Sequence, residues 1–325
     1  MYRSRGLMHR KPFKELGSRK PKKYLEEMAA ASCRDERGYL DLLRELADKR
    51  GKSAAPPRKD RTGTGTYSVF GRQLRFDLSD GRVPAVTTKR LAWKSCLEEL
   101  LWFLRGSTDS RELKSSIWRG NTTREFLDAR GLSRLPEGDI GAGYGFQWRH
   151  FGAVYETCEK DYRGQGVDQI AKVEEAIRED PTSRRIFMTA WNPAALEDMA
   201  LPPCHVSAQF YVDDDGKLSC HLLMRSADVF LGLPFNVFSY GTLTHLLAKR
   251  AGLDARELVV SIGDAHLYLD HVDAAEQQLA REPYPAPRLR VSDAVLAKDI
   301  GSLTFPDFEL LDYVHHPAIA ARMSA

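Results

Sequence analysis

The spacing of apolar residues along the chain predicts helices and strands that alternate without a regular repeat. In "GYLDLLRELADK", Leu40, Leu43 and Leu46 recur every third position, as on one face of a helix. "RGKSAAPPRKDRTGTGT" is crowded with turn formers and reads as a loop. "YSVFGRQLRFDL" is rich in β-branched and aromatic residues and reads as a strand; "SCLEELLWFLRG" reads as a helix closed by Gly106. "VDQIAKVEEAIRED" puts Val167, Ile170, Val173 and Ile177 on one helical face, with Pro181 beyond its end. "RRIFMTAW" is a strand, and "VSAQFYV" and "KLSCHLLM" flank the polar "DDDG" as a hairpin. "GTLTHLLAKRAG" is a helix, and "ELVVSIGDAHLYLD" a strand running into a loop. Lacking a βαβ period, this order predicts one α/β (α+β) domain, a mixed β-sheet packed with helices.

Composition narrows the class. A chain of 325 residues can bury a sizeable core. With 42% hydrophobic and 29% charged residues it is an ordinary soluble globular protein. A net charge of +3 is too small to imply nucleic-acid binding by itself. No apolar run approaches the ~20 residues of a membrane span. Cys33, Cys96, Cys158, Cys204 and Cys220 are scattered and lack CxxC spacing. That opposes a zinc site and a disulfide framework, and favours a reducing, cytoplasmic setting. The opening "MYRSRGLMHRKPFKELGSRKPKKY" is basic, with Glu15 its one acid and no signal-like apolar stretch. Residues 1–34 therefore read as a solvated, flexible extension before a folded domain spanning 35–325. A nuclear or mitochondrial address and a nucleic-acid-binding arm are the other readings.

Several residues have chemical potential, each with a plainer alternative. "LPPCHVSAQF" makes Cys204 either a small apolar residue opening a buried strand or a nucleophile. On the helix "KSCLEELLWFLRG", Glu98 falls with Lys94 and Arg105 on a solvated ion-pair face. Glu99 borders the apolar face beside Cys96 and Phe103, either hydrogen-bonded at the core edge or serving as a general acid or base. Arg61 lies in a Gly/Thr-rich loop, Arg184 and Arg185 at a strand start, and Arg225 with Ser226 at the end of the hairpin. Singly these arginines read as surface ion pairs; together they could clamp a phosphate. Asn236, an amide in apolar sequence, suits a structural turn or a pyrimidine edge. His266 and Tyr268 share one side of an extended segment. His266 alone could be a core histidine, and no His or Cys partner has metal-ligand spacing.

Taken in order, "DRTGTGTYSVFG", "VTTKR", "LEELLWFLRGST", "YGFQWRHFGA", "DYRGQGVDQ", "SRRIFMTAWNP", "LPPCH", "RSADVFLGLPFNVFSY", "GDAHLYLDH" and "REPYPAPRL" resemble the thymidylate synthase family. The resemblance runs from about residue 35 to the C-terminus. It implies a homodimer joined through a sheet face and reductive methylation of dUMP by 5,10-methylenetetrahydrofolate, without metal or nicotinamide. By matching motif, Cys204 is the nucleophile, and Arg61, Arg225 and Ser226 hold the phosphate. Arg184 and Arg185 reach the partner's phosphate site, and Asn236 reads the uracil edge. His266 and Tyr268 bind the sugar hydroxyl; His205 and Ala227 complete the nucleotide site. Glu99 and Tyr144 manage proton transfer. Asp228, Trp118, Asn121, Phe235 and Ser324 face the folate.

Some positions depart from the family pattern. Met224 replaces a usual Gln, Ala142 and Gly143 replace Pro-Val before Tyr144, Arg119 stands where an acid is usual, and Ala325 replaces a terminal Val. These changes gather on the folate side and imply a looser approach to it. They keep in view the pyrimidine nucleotide hydroxymethylases, which let water rather than hydride finish the reaction. An RNA-binding or regulatory homologue, using the basic extension, is the reading from another class.

Overall fold

The computed structural model describes residues 36–51, 57–60 and 62–322. The expected extension over residues 1–34, Cys33, Arg61, Ser324 and Ala325 lie outside the described residues.

Helix α1 covers 36–47, and its predicted face is buried at Leu40, Leu43 and Leu46. Then follow β1 (Thr66–Asp77) and α2 (Trp93–Arg105). Gly106 ends α2 in the left-handed conformation, φ 76°, which glycine adopts without a Cβ penalty. Two short helices, α3 (Arg124–Ala129) and α4 (Gly145–His150), precede α5 (Gln169–Glu179). Ile170, Val173 and Ile177 of α5 are buried as expected. Val167 is not on that face: it precedes the helix, bridges Phe151 and is 41% exposed. Asp168 caps α5, accepting the Ala171 N–H, so the helix starts after the valine.

The strand predicted over "RRIFMTAW" shortens to β2 (Phe187–Thr189), leaving Arg184 and Arg185 in the turn before it. Strands β3 (His205–Val212) and β4 (Lys217–Asp228) form the predicted hairpin. Helix α6 (Gly232–Ala251) starts earlier than the pattern indicated and absorbs Asn236 into its first turns. The chain continues with β5 (Asp254–Tyr268), α7 (Val272–Leu279) and a small ribbon of β6 (Arg288–Val291) and β7 (Phe308–Leu311).

The main sheet runs β1-β5-β4-β3-β2. Only the β4–β5 pair is parallel, because α6 forms the crossover between them. Alternation along β4 decides the core: Leu218, Cys220, Leu222 and Met224 turn inward, while His221, Leu223 and Arg225 turn outward. Helix α6 covers the inner face at β4 and β5, α5 packs on β2 and β3, and α2 lies against α6. Phe187, Tyr211 and Leu223 are exposed on the outer face.

Candidate active site

Cys204 lies at the lip of β3, one residue before the strand begins. Two backbone bonds position it. Its backbone N–H donates to the Tyr144 Oη at 2.9 Å, and its carbonyl accepts the Arg225 N–H at 2.9 Å. The Arg225 side chain donates from Nε to the Pro203 carbonyl and from Nη2 to the Pro202 carbonyl, both at 2.8 Å. The two prolines thus present their carbonyls to the guanidinium and set it beside the thiol, with Nη2 3.8 Å from the Cys204 Sγ. A cation at that distance favours the thiolate form.

The thiol opens on a cavity of about 550 Å³ that also takes in Arg225, Ser226, Asp228, His266 and Tyr268. These residues come from the ends of β4 and β5, which the parallel pairing brings side by side: Ser226 is opposite Asp264, and Asp228 opposite His266. His266 and Tyr268 share one side of β5 as their spacing predicted, with ring centroids 5.2 Å apart. His266 Nδ1 lies 3.2 Å from Asp264 Oδ1, and Arg58 pairs with the other oxygen at 3.3 Å. The His266 bond, with Arg58, holds the Asp264 carboxyl below the usual carboxylate range. A larger groove, about 720 Å³, lies on the outer sheet face and includes none of these groups.

Behind the cavity, Tyr144 joins Cys204 to a second layer. Its ring stacks on Phe103 at 4.9 Å and meets Trp118 edge-on at 5.7 Å. Trp118 Nε1 donates to Glu99 Oε1 at 2.7 Å. Burial pushes the Glu99 carboxyl up to about 7, and the Tyr144 phenol well above its ordinary value. Asn121 is buried, and its Nδ2 has no partner among the described residues. Phe235 is half-buried on α6. Glu98 does not form the expected ion pair. It accepts the Lys114 and Ser115 backbone N–H groups at 2.9 and 3.2 Å, while Arg105 pairs with Glu112.

Other predicted residues sit differently. His205 is turned into the core: its Nδ1 is 3.1 Å from the Tyr240 Oη, and burial pushes it down to about 3. Ala227 is buried. Arg184 and Arg185 are exposed away from the cavity, with no ion pair to a described residue. Asn236 is half-buried on α6 and does not line the cavity. Met224 is fully buried on the inner face of β4.

Sequence reasoning missed Asp139. It accepts N–H groups from Gly141 and Cys158, each at 2.7 Å, and the Tyr155 hydroxyl. This staple fixes the approach to Tyr144, whose backbone has φ +30°, a strained value for a tyrosine. The Ala142 N–H donates to the Asp198 carbonyl at 3.1 Å, a bond that proline in its place could not make. No local signal marks Asp139. Asp264, two residues before His266 on the same strand side, was legible from spacing alone.

A thiol held against a guanidinium, in a cavity lined by Ser226, Asp228, His266 and Tyr268 at strand ends, is the arrangement of an enzyme site in an α+β fold. The comparisons say which. The family model described as Thymidylate synthase matches residues 37–325, and the chain belongs to that family. It is 50% identical to the thymidylate synthase of Agaricus bisporus, covering 89% of this chain and 99% of that one. It is 46% identical to that of Saccharomyces cerevisiae, covering 90% and 97%. It is also 51% identical to a bifunctional dihydrofolate reductase-thymidylate synthase of Leishmania major, where the match spans 89% of this chain and only 55% of the longer relative.

Proposed function

We propose that the chain converts dUMP to dTMP by reductive methylation, with 5,10-methylenetetrahydrofolate as co-substrate. The observation that carries this reading is the Cys204–Arg225 contact, 3.8 Å, inside a cavity shared with Ser226, His266 and Tyr268.

Carbon 5 of uracil is a poor nucleophile. Addition of the Cys204 thiolate to C6 moves the ring electrons toward C5 and the C4 oxygen, giving an enolate that can form the new bond. Arg225 stabilises the attacking thiolate and, with Ser226 and Arg61, holds the phosphate. His266 and Tyr268 take the sugar hydroxyl. Because Asp264 accepts at His266 Nδ1, the imidazole is oriented, and its Nε2 has no partner among the described residues. Asn236, half-buried on α6 and not lining the described cavity, is the proposed donor and acceptor for the uracil edge. Glu99, with a pKa near 7, can hold or release a proton at neutral pH, as removal of the C5 proton requires. Tyr144 stays protonated there and steadies the Cys204 backbone.

The folate co-substrate supplies the one-carbon unit and the hydride that completes the methyl group. Trp118, Phe235, Asp228 and Ser324 would hold it, and the unpartnered Asn121 Nδ2 fits a polar ligand on that side. The chain works as a homodimer through the outer sheet face, a reading supported by exposed Phe187, Tyr211 and Leu223. Arg184 and Arg185 border that face: the Arg184 carbonyl accepts from Gln209 Nε2 on β3. From there they reach the partner's phosphate site.

Incubation with dUMP and methylenetetrahydrofolate, followed by identification of both products, tests the assignment. dTMP with dihydrofolate is expected; hydroxymethyl-dUMP with tetrahydrofolate would replace hydride by water and overturn it.

A further inference from the structure

The Cys204 cavity holds a cation that neither the motif nor the mechanism uses. Arg130 follows the last residue of α3 and lines the cavity with Leu201, Pro202 and Cys204. Its side chain is exposed and makes no ion pair or hydrogen bond with a described residue. The acids of the cavity are already engaged. Asp60 accepts the Thr62 and Gly65 N–H groups, Asp228 those of Phe230 and Leu231, and Asp264 is shared by His266 and Arg58. Among the described residues, none therefore pairs with the Arg130 side chain in the cavity.

Its position is built rather than incidental. The Arg130 N–H caps α3 by donating to the Phe126 and Leu127 carbonyls at 3.1 and 3.2 Å. Leu127, Leu132 and Leu135 form a small core with Ala200, the residue that leads into "LPPC". Arg124 donates to the Leu132 and Leu135 carbonyls, and Arg134 pairs with Asp198. The turn carrying Arg130 and the segment carrying Cys204 are thus packed on one another. A guanidinium held by its backbone, with no side-chain donor bonded to a described residue, is suited to an oxyanion.

We propose that Arg130 is a substrate-binding residue of this cavity that donates to an oxyanion of the bound reactants. The chemistry is shared by two sources, the phosphate of the nucleotide and a carboxylate of the folate's glutamate. The proposal rests on the reading of the cavity as a dUMP and folate site.

Arg130→Ala and Arg130→Lys, compared with wild type, test it. Loss of one charge-assisted hydrogen bond corresponds to about tenfold in KM for the reactant concerned. Arg130→Ala should raise one KM by about that factor, flatten its salt dependence and leave the melting temperature unchanged, with partial rescue by Arg130→Lys. A raised dUMP KM, with unchanged affinity for phosphate-free deoxyuridine, identifies the phosphate. A raised folate KM that grows with the number of glutamates identifies the carboxylate. Unchanged KM values for both reactants overturn the proposal, as does a loss of kcat that tracks a lowered melting temperature. Should the wild type form no dTMP, the parent reading fails by itself. Inorganic phosphate is then the probe: it should slow alkylation of Cys204 in wild type more than in Arg130→Ala, and equal protection overturns the proposal.

Discussion

The Tyr144 phenol oxygen accepts the backbone N–H of Cys204 at 2.9 Å across 60 residues of sequence. Cys204 is thereby tied to the layer that contains Trp118 and Glu99. Tyr144→Phe removes the acceptor and leaves a shielded N–H unpaired, at a cost of roughly 1–3 kcal/mol. Borne by the transition state, that is a loss of about 5- to 160-fold in kcat, with dUMP binding retained. Cys204→Ser should bind dUMP and show no turnover above background. Normal turnover by that variant would defeat the covalent mechanism.

Two buried titrating groups give stability opposite slopes with pH. Glu99 has its folded pKa raised to about 7 by burial, so its contribution is full below the unfolded value and is lost as pH rises through about 7. His205 has its folded pKa lowered to about 3, so its contribution is full above its ordinary value and is lost as pH falls toward 3. Glu99→Gln should remove the alkaline decline between about 4.5 and 7, worth on the order of 3 kcal/mol. Urea denaturation of both proteins across pH 4–8 measures it; parallel curves would show that Glu99 is not the titrating group.

Gly141 has φ +75°, and a Cβ there would lie 1.9 Å from the Asp198 carbonyl oxygen. Gly164 has a similar φ, +76°, with nothing within 4 Å. Gly141→Ala should cost more than about 3 kcal/mol, because backbone must move. Gly164→Ala should cost only the ~1–2 kcal/mol of the left-handed conformation. Equal costs, measured by chemical denaturation, would show that Asp198 yields to the added methyl group.

Tyr211 is 61% exposed on the outer sheet face. Tyr211→Asp places a charge where the proposed dimer buries an aromatic ring, and should yield monomers by sedimentation. If Arg184 and Arg185 serve the partner's phosphate site, the same variant should raise the dUMP KM at least about tenfold. A monomer with unchanged KM would separate dimerisation from phosphate binding.

Legibility followed how local each signal was. The α2 face and the β3–β4 hairpin were readable because each rests on a short repeat and a nearby terminator. The start of α6 was not, since "LGLPF" is apolar throughout and gives no period until the helix packs. Glu98 was read as solvated because its partners, the Lys114 and Ser115 amides, come from a loop that no helical periodicity can place. His205 shares a motif with Cys204, yet strand alternation sends its side chain inward, toward Tyr240.

By itself, then, the sequence determined the residue types of the chemistry, their order and the family they belong to, because motif and periodicity are properties of neighbours along the chain. Only the tertiary structure decided which side chains meet. The parallel β4–β5 register puts Asp228 opposite His266, the Pro202 and Pro203 carbonyls aim Arg225 at the Cys204 sulfur, and packing of Ala200 against α3 brings Arg130 to the same cavity. The physical reason is that charge, desolvation and hydrogen bonding act across a few ångströms of space, whatever their separation in sequence.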